Sequence, residues 1–170
     1  GNAKLDVEST DSATQSGGIV ENSVPAGFVK KGTGTLILSG GSNYSGATAV
    51  SEGTLDIAAA NAASSLSDYT VDTGATLSVD GGLGNTYIGS LGDGANGGGS
   101  VSAGAGTNLY VGGVIGALTP NANNTTFSGD ISADELAFTG AGTLTLTGNS
   151  NAIGSLVLCS CVASGGTTLS

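Results

Sequence analysis

The sequence predicts an all-β fold: a parallel β-helix in which each turn of the chain stacks on the one before. Three observations predict it. A short phrase led by glycine returns along the chain, the apolar residues inside each phrase alternate with polar ones, and bulky side chains are too few for a thick core. Of 170 residues, 32 are Gly, about 19% against a usual share of roughly 7%. Val, Ile, Leu and Phe together reach about 22%, just above the roughly 20% below which a charged chain stays disordered. Such a composition suits a narrow coil that buries one side of each short strand.

The phrases run in order Gly34-Thr35-Leu36-Ile37-Leu38, Gly53-Thr54-Leu55-Asp56-Ile57 and Gly74-Ala75-Thr76-Leu77-Ser78-Val79. Gly106-Thr107-Asn108-Leu109-Tyr110-Val111 and Gly142-Thr143-Leu144-Thr145-Leu146 follow. Each has the period of two that marks a strand with one buried face. Leu36, Leu38, Leu55, Ile57, Leu77, Val79, Leu109, Val111, Leu144 and Leu146 are expected to point inward, and Thr35, Asp56, Ser78 and Tyr110 outward. The first two intervals between leading glycines are 19 and 21 residues, and the later ones of 32 and 36 suit one turn plus an insertion. A sandwich would renew its pattern every roughly 8 to 12 residues with varied inner residues, whereas a coil returns the same inner residue once per turn of about 20. At roughly 22 residues per turn the chain makes about seven or eight turns, a rod on the order of 35 Å long. Gly40-Gly41-Ser42-Asn43 and Asn96-Gly97-Gly98-Gly99 carry the turn chemistry between strands. No long amphipathic helical period is present, and the Ala-rich residues 58–63 read as an insertion loop in preference to a helical turn.

Composition excludes several chemistries. His, Arg, Trp and Met are absent. Without an imidazole there is no Ser-His-Asp triad, no Cys-His pair and no zinc site of the usual ligand sets, so the sequence calls for no cofactor and no metal. Lys4, Lys30 and Lys31 face thirteen acids, and the net charge of −10 repels phosphate backbones, which removes nucleic acid as a partner. No apolar run approaches about 18 residues and the start carries no targeting pattern, so the segment is expected to be soluble. Cys159 and Cys161, two residues apart, cannot form a disulfide framework.

Residues 27–57 read GFVKKGTGTLILSGGSNYSGATAVSEGTLDI. This resembles the passenger-associated transport repeat of bacterial autotransporters, whose positions are matched by Lys31, Gly32, Gly34, Thr35, Leu36, Leu38, Gly40, Asn43, Tyr44, Gly46, Val50, Gly53, Thr54 and Leu55. Residues 127–148 resemble a degraded second copy, lacking the Lys before its Gly and the Tyr-Ser-Gly turn. The looser likeness covers most of residues 1–170, which read as one fragment of a pertactin-like passenger. The resemblance implies a Gram-negative protein, at the cell surface or secreted, with a right-handed β-helical passenger. Its membrane contact would be made only through a C-terminal outer-membrane barrel absent from this chain. It further implies a non-catalytic scaffold for adhesion or self-association, folding turn by turn during export. The partner would be a host-cell surface or matrix molecule, or another copy of itself. A segment of an autotransporter toxin is the alternative.

Other candidate sites are weaker. Calcium-binding nonapeptides place Asp at the sixth position of each repeat, and counting from Gly81 that position is Thr86. A glycan-processing enzyme would need two convergent carboxyls; Asp56, Asp72 and Asp80 are the candidates, set singly among Thr and Ser. In a flat strand the Cα atoms of Cys159 and Cys161 would lie about 6.6 to 6.8 Å apart, the upper edge of disulfide geometry, so a bonded pair and free thiols both remain open. Some passengers of the resembled family carry one such closely spaced pair. Tyr44, Tyr69, Tyr87 and Tyr110 are either adhesive contacts on the outer surface or packed against loops, the second reading being favoured, particularly for Tyr44.

Overall fold

The structure, a computed structural model, describes residues 4–8, 10–113, 122–158 and 168–169. Its strands, numbered in chain order, fall on three faces. The first face carries β1 (Lys4–Glu8), β3 (Gly27–Lys31), β5 (Thr48–Val50), β7 (Asp68–Val71) and β10 (Ser90–Asp93), continued by β13 (Thr125–Phe127), β15 (Thr143–Leu146) and β17 (Thr168–Leu169). The second carries β2 (Ala13–Gln15), β4 (Thr35–Leu38), β6 (Thr54–Ile57), β8 (Thr76–Val79) and β11 (Ser100–Ala103). The third opens with β9 (Gly84–Ile88) and β12 (Thr107–Val111). Two longer strands, β14 (Asp130–Phe138) and β16 (Ala152–Leu158), serve the second face with their first residues and the third with their last.

Every strand pairing is parallel, and none of the described residues is helical. The parallel β-solenoid is therefore as the sequence predicts. It makes about six turns, fewer than the seven or eight expected. The reason lies in the register. Leu36 aligns with Leu55 19 residues on, Leu55 with Leu77 after 22, Leu77 with Val101 after 24 and Val101 with Ile131 after 30. Turns measured on the second face lengthen from 19 to 30 residues as β9 and β12 are built in, and the last described turn, from Ser132 to Ala152, is 20. Earlier turns cross the third side as loops.

Alternation puts one apolar ladder inside each face. Leu36, Leu55, Leu77, Val101 and Ile131 stack along the second face, each 4% exposed or less. On the third, Leu109 and Leu136, both 0% exposed, stack between the buried Thr86 before them and Leu156, 44% exposed, after them. Of the ten residues expected inward, nine are buried and Leu146 is half-buried. Thr35, Asp56 and Ser78 do lie on the outer parity and are half-exposed. Tyr110 also lies there, yet it is buried, because the Tyr87 ring packs 4.8 Å away and its hydroxyl donates to Glu135 Oε1 at 3.2 Å. Residues 58–63 form a turn in which Ala62 N donates to Ala59 O, with Ala62 and Ala63 folded into the core. Cys159 and Cys161 lie outside the described residues.

Side chains stitch turn to turn where the ladders end. Asp93 Oδ1 accepts from Ser128 N at 2.6 Å, Asp130 Oδ1 from Ser150 N at 3.2 Å, and Asn124 Oδ1 from Thr143 N at 2.8 Å. A carboxylate accepting a backbone N–H is a strong hydrogen bond, and it satisfies a donor at the corner where the ladder cannot.

Candidate functional site

Residues 27–57 fold as β3 to β6, two successive turns, and the positions singled out there are structural. Leu36, Leu38 and Leu55 point into the core. Thr35 pairs with Thr54 across adjacent rungs on the outer side. Gly34 is buried, with its carbonyl accepting from Thr54 N at 3.1 Å. Gly32 and Gly53 have φ of 75° and 63°, a region that strains any residue with a Cβ. At Gly53 a Cβ would also collide with the carbonyl oxygens of Gly32 and Gly34 in the turn below. At Gly46 it would collide with the Ala26 carbonyl, and Gly46 N donates to that oxygen at 2.8 Å. Gly40 packs equally closely on the backbone of Ser16 and Gly17. These glycines are required by the spacing of the rungs.

Between the two turns lies a buried ammonium that the sequence did not reveal. Lys30 is 0% exposed, and its Nζ donates to the carbonyls of Lys31 at 2.9 Å, Gly32 at 2.6 Å and Glu52 at 3.1 Å. All three donors are used. Glu52 Oε2 in turn accepts from Gly32 N at 3.2 Å, so the same corner is held from both sides. Burial pushes the Lys30 pKa down, and the nearby Glu52 carboxylate partly restores it. The signal was parity: Lys30 shares the side of Phe28 in β3, whose burial alternates from Phe28 onward.

Above it runs a chain of buried hydroxyls. The Tyr44 and Tyr69 hydroxyls are 3.1 Å apart, Tyr44 lies 2.8 Å from Thr48 Oγ1, and Thr48 Oγ1 lies 2.8 Å from Ser67 Oγ. Ser67 Oγ donates to Gly46 O at 2.8 Å, and Ser64 Oγ donates to Tyr44 O. The Tyr69 hydroxyl accepts from Ser64 N at 3.1 Å. Burial raises the pKa of both tyrosines, so they stay protonated and act as donors within the network. Phe28 meets the Tyr44 ring edge-on at 5.6 Å. Both tyrosines are 0% exposed, which excludes them as adhesive contacts in this conformation.

At the preceding corner Glu21 accepts from Ser45 N, Ala26 N and Ser45 Oγ, bonds that lower its pKa. The three aspartates considered for catalysis are not brought together. Asp56 lies on β6 within electrostatic reach of Asp80, its pKa raised chiefly by burial, with Oδ1 unpartnered. Asp72 lies at the opposite end of β8 from Asp80, where its carboxylate accepts from Asn96. Among the described residues no group of three His, Cys, Asp or Glu is placed to hold a metal ion. The arrangement as a whole positions backbone at the corners of the coil.

A family model described as the passenger-associated-transport-repeat matches residues 28–57, the turns held by Lys30 and Tyr44. That match and the parallel solenoid together fit an autotransporter passenger β-helix. No curated protein and no solved structure matches the chain.

Proposed function

We propose that this chain is a segment of an autotransporter passenger, secreted or displayed at the surface of a Gram-negative bacterium, that acts as a non-catalytic scaffold for adhesion or self-association and supports export by folding in sequence. The observation that carries the reading is the repeat at residues 28–57, formed as two turns that close on one another through Lys30 and the Tyr44 network. A turn of this kind needs only its neighbour to fold, so a chain emerging at a membrane can bury each rung as it arrives. The gain on each new rung opposes backsliding. Partners are a host-cell surface or matrix molecule, or a second copy of the chain. The charge of −10 opposes contact between copies until salt screens it.

The test fuses the chain to an outer-membrane barrel in a Gram-negative host and measures protease-accessible surface display and cell clumping at two salt concentrations. Leu36→Asp and Leu55→Asp should abolish display, since a carboxylate inside the coil has no partner. Thr35→Asp should leave it intact. Equal display from all four chains would end the export reading, and clumping that weakens with added salt would end the reading of self-association opposed by charge.

A further inference from the structure

We infer that a cleft on the outer side of the third face binds a neutral glycan. The strand β9 is the edge of its sheet, because the turns before it cross this side as loops. Between those loops and the strand lies an open cleft of about 300 Å³. Its walls are Asn61, Ala63 and Ser65 of one loop, Ser42 of the other, and Asn85 and Tyr87 of β9. That volume is at the lower bound of small-molecule sites, roughly 300 Å³ and upward, and admits one or two sugar rings.

The lining is chemically specific. The Tyr87 ring is braced on one side by Tyr110, at 4.8 Å and 32° between planes, so it is a rigid half-exposed platform. A pyranose offers an apolar C–H face that packs on such a ring and a rim of hydroxyls that both donate and accept. Asn side chains answer both needs, with an amide donor and a carbonyl acceptor on one group. Asn85 is held in place by Asn108 at 3.2 Å and by the Tyr87 hydroxyl at 3.4 Å, whereas the Asn61 amide and the Ser65 hydroxyl make no hydrogen bond to another described residue. Among the described residues no charged side chain lines the cleft, and the charge of −10 disfavours carboxylated or sulfated sugars. An extended peptide added to the β9 edge is the poorer fit, because Gly89 N already donates to Ser67 O and closes that edge at one end.

This names a ligand class for the adhesive role proposed above and rests on that reading. The experiment uses the whole chain, labelled with nitrogen-15, titrated with lactose, cellobiose and N,N′-diacetylchitobiose, with 3′-sialyllactose as the charged counterpart of lactose. At least one neutral disaccharide should bind at millimolar concentration and shift the side-chain amides of Asn61 and Asn85. Tyr87→Ala should weaken binding about tenfold or more, and Asn61→Ala, on an exposed loop, several-fold with an unchanged melting temperature. Tyr87→Phe, which keeps the ring and removes only the hydroxyl that holds Asn85, should weaken binding less than Tyr87→Ala does. Absence of binding by every neutral probe, binding unaffected by both alanine variants, or tighter binding of 3′-sialyllactose than of lactose would each overturn the proposal. The titration reads the isolated chain, without cells or a barrel, and the display assay reads export of the chain whatever it binds, so a failed cleft and a failed scaffold reading give different results.

Discussion

Replacing Leu55 by Ala probes the stacked core at a rung covered on both sides. Leu55 is 0% exposed, with Leu36 in register on one side and Leu77 on the other. Ladder hydrogen bonds fix the rungs about 4.8 Å apart, so the walls of the new cavity cannot close. Buried Leu→Ala changes cost about 2.7–5.0 kcal/mol, and a site unable to collapse belongs in the upper half, near 4 kcal/mol. Leu156, in the last described rung of the third-face ladder, gives the comparison. It is 44% exposed, so its truncation leaves a dent filled by solvent and should cost less than about 1 kcal/mol. Urea unfolding followed by circular dichroism measures the sum. Because a solenoid loosens in groups of neighbouring turns, amide exchange at β4, β6 and β8 is the sharper readout. Protection should fall together on all three strands in Leu55→Ala and hardly at all in Leu156→Ala. Equal losses in the two variants, or a loss confined to β6, would refute the stacked-core reasoning.

Three further outcomes follow from the same geometry. Lys30→Met should destabilise by about 2–4 kcal/mol, since three carbonyls lose charge-assisted donors worth roughly 1.5–3 kcal/mol each while the relief of a buried ammonium offsets part of the loss, measured by the same urea titration. Asp56, with its folded pKa raised above 3.8 by burial, binds its proton more tightly when folded and loses that contribution as pH rises through the folded pKa. Asp56→Asn should therefore raise the melting temperature at pH 7, and the difference should vanish in melts below the ordinary aspartate range. Gly46→Ala should cost more than about 2 kcal/mol in chemical unfolding, since its Cβ meets the Ala26 carbonyl, which the rung spacing does not allow to move.

The parts of the fold legible in the sequence are those where one signal dominates. In Gly53-Thr54-Leu55-Asp56-Ile57 a left-handed glycine precedes strict alternation, and both survive in β6. Strands such as β11, Ser100-Val101-Ser102-Ala103, lack the phrase and carry a single bulky residue, so only the register with β8 identifies them. In the sequence Lys30 counts only as one of three positive charges, because charge outweighs parity in any composition argument. The structure reverses that weighting, since three carbonyls at the corner need a donor that only a long side chain can deliver. Tyr69 shares the inward side of Val71 in β7, a signal present in the sequence but overshadowed by the habit of tyrosines to surface. Burial of Tyr110 was beyond alternation altogether, because its cover is the side chain of Tyr87 one turn away. The cleft beside β9 depends likewise on two loops meeting an edge strand, a proximity without local sequence trace.

The direction of the backbone ladder has a mechanical consequence. In a parallel solenoid the strand-to-strand hydrogen bonds run along the rod, so tension applied between its two ends loads successive rungs in series. Rungs then yield one after another, and the force never has to shear a whole sheet at once. Each rung that opens gives up about 4.8 Å of rod and releases 19 to 30 residues, which extend to roughly 60–100 Å. A stalk built this way lengthens more than tenfold under load and dissipates work at every step. When the pull ceases, each released turn finds the next rung still formed as its template.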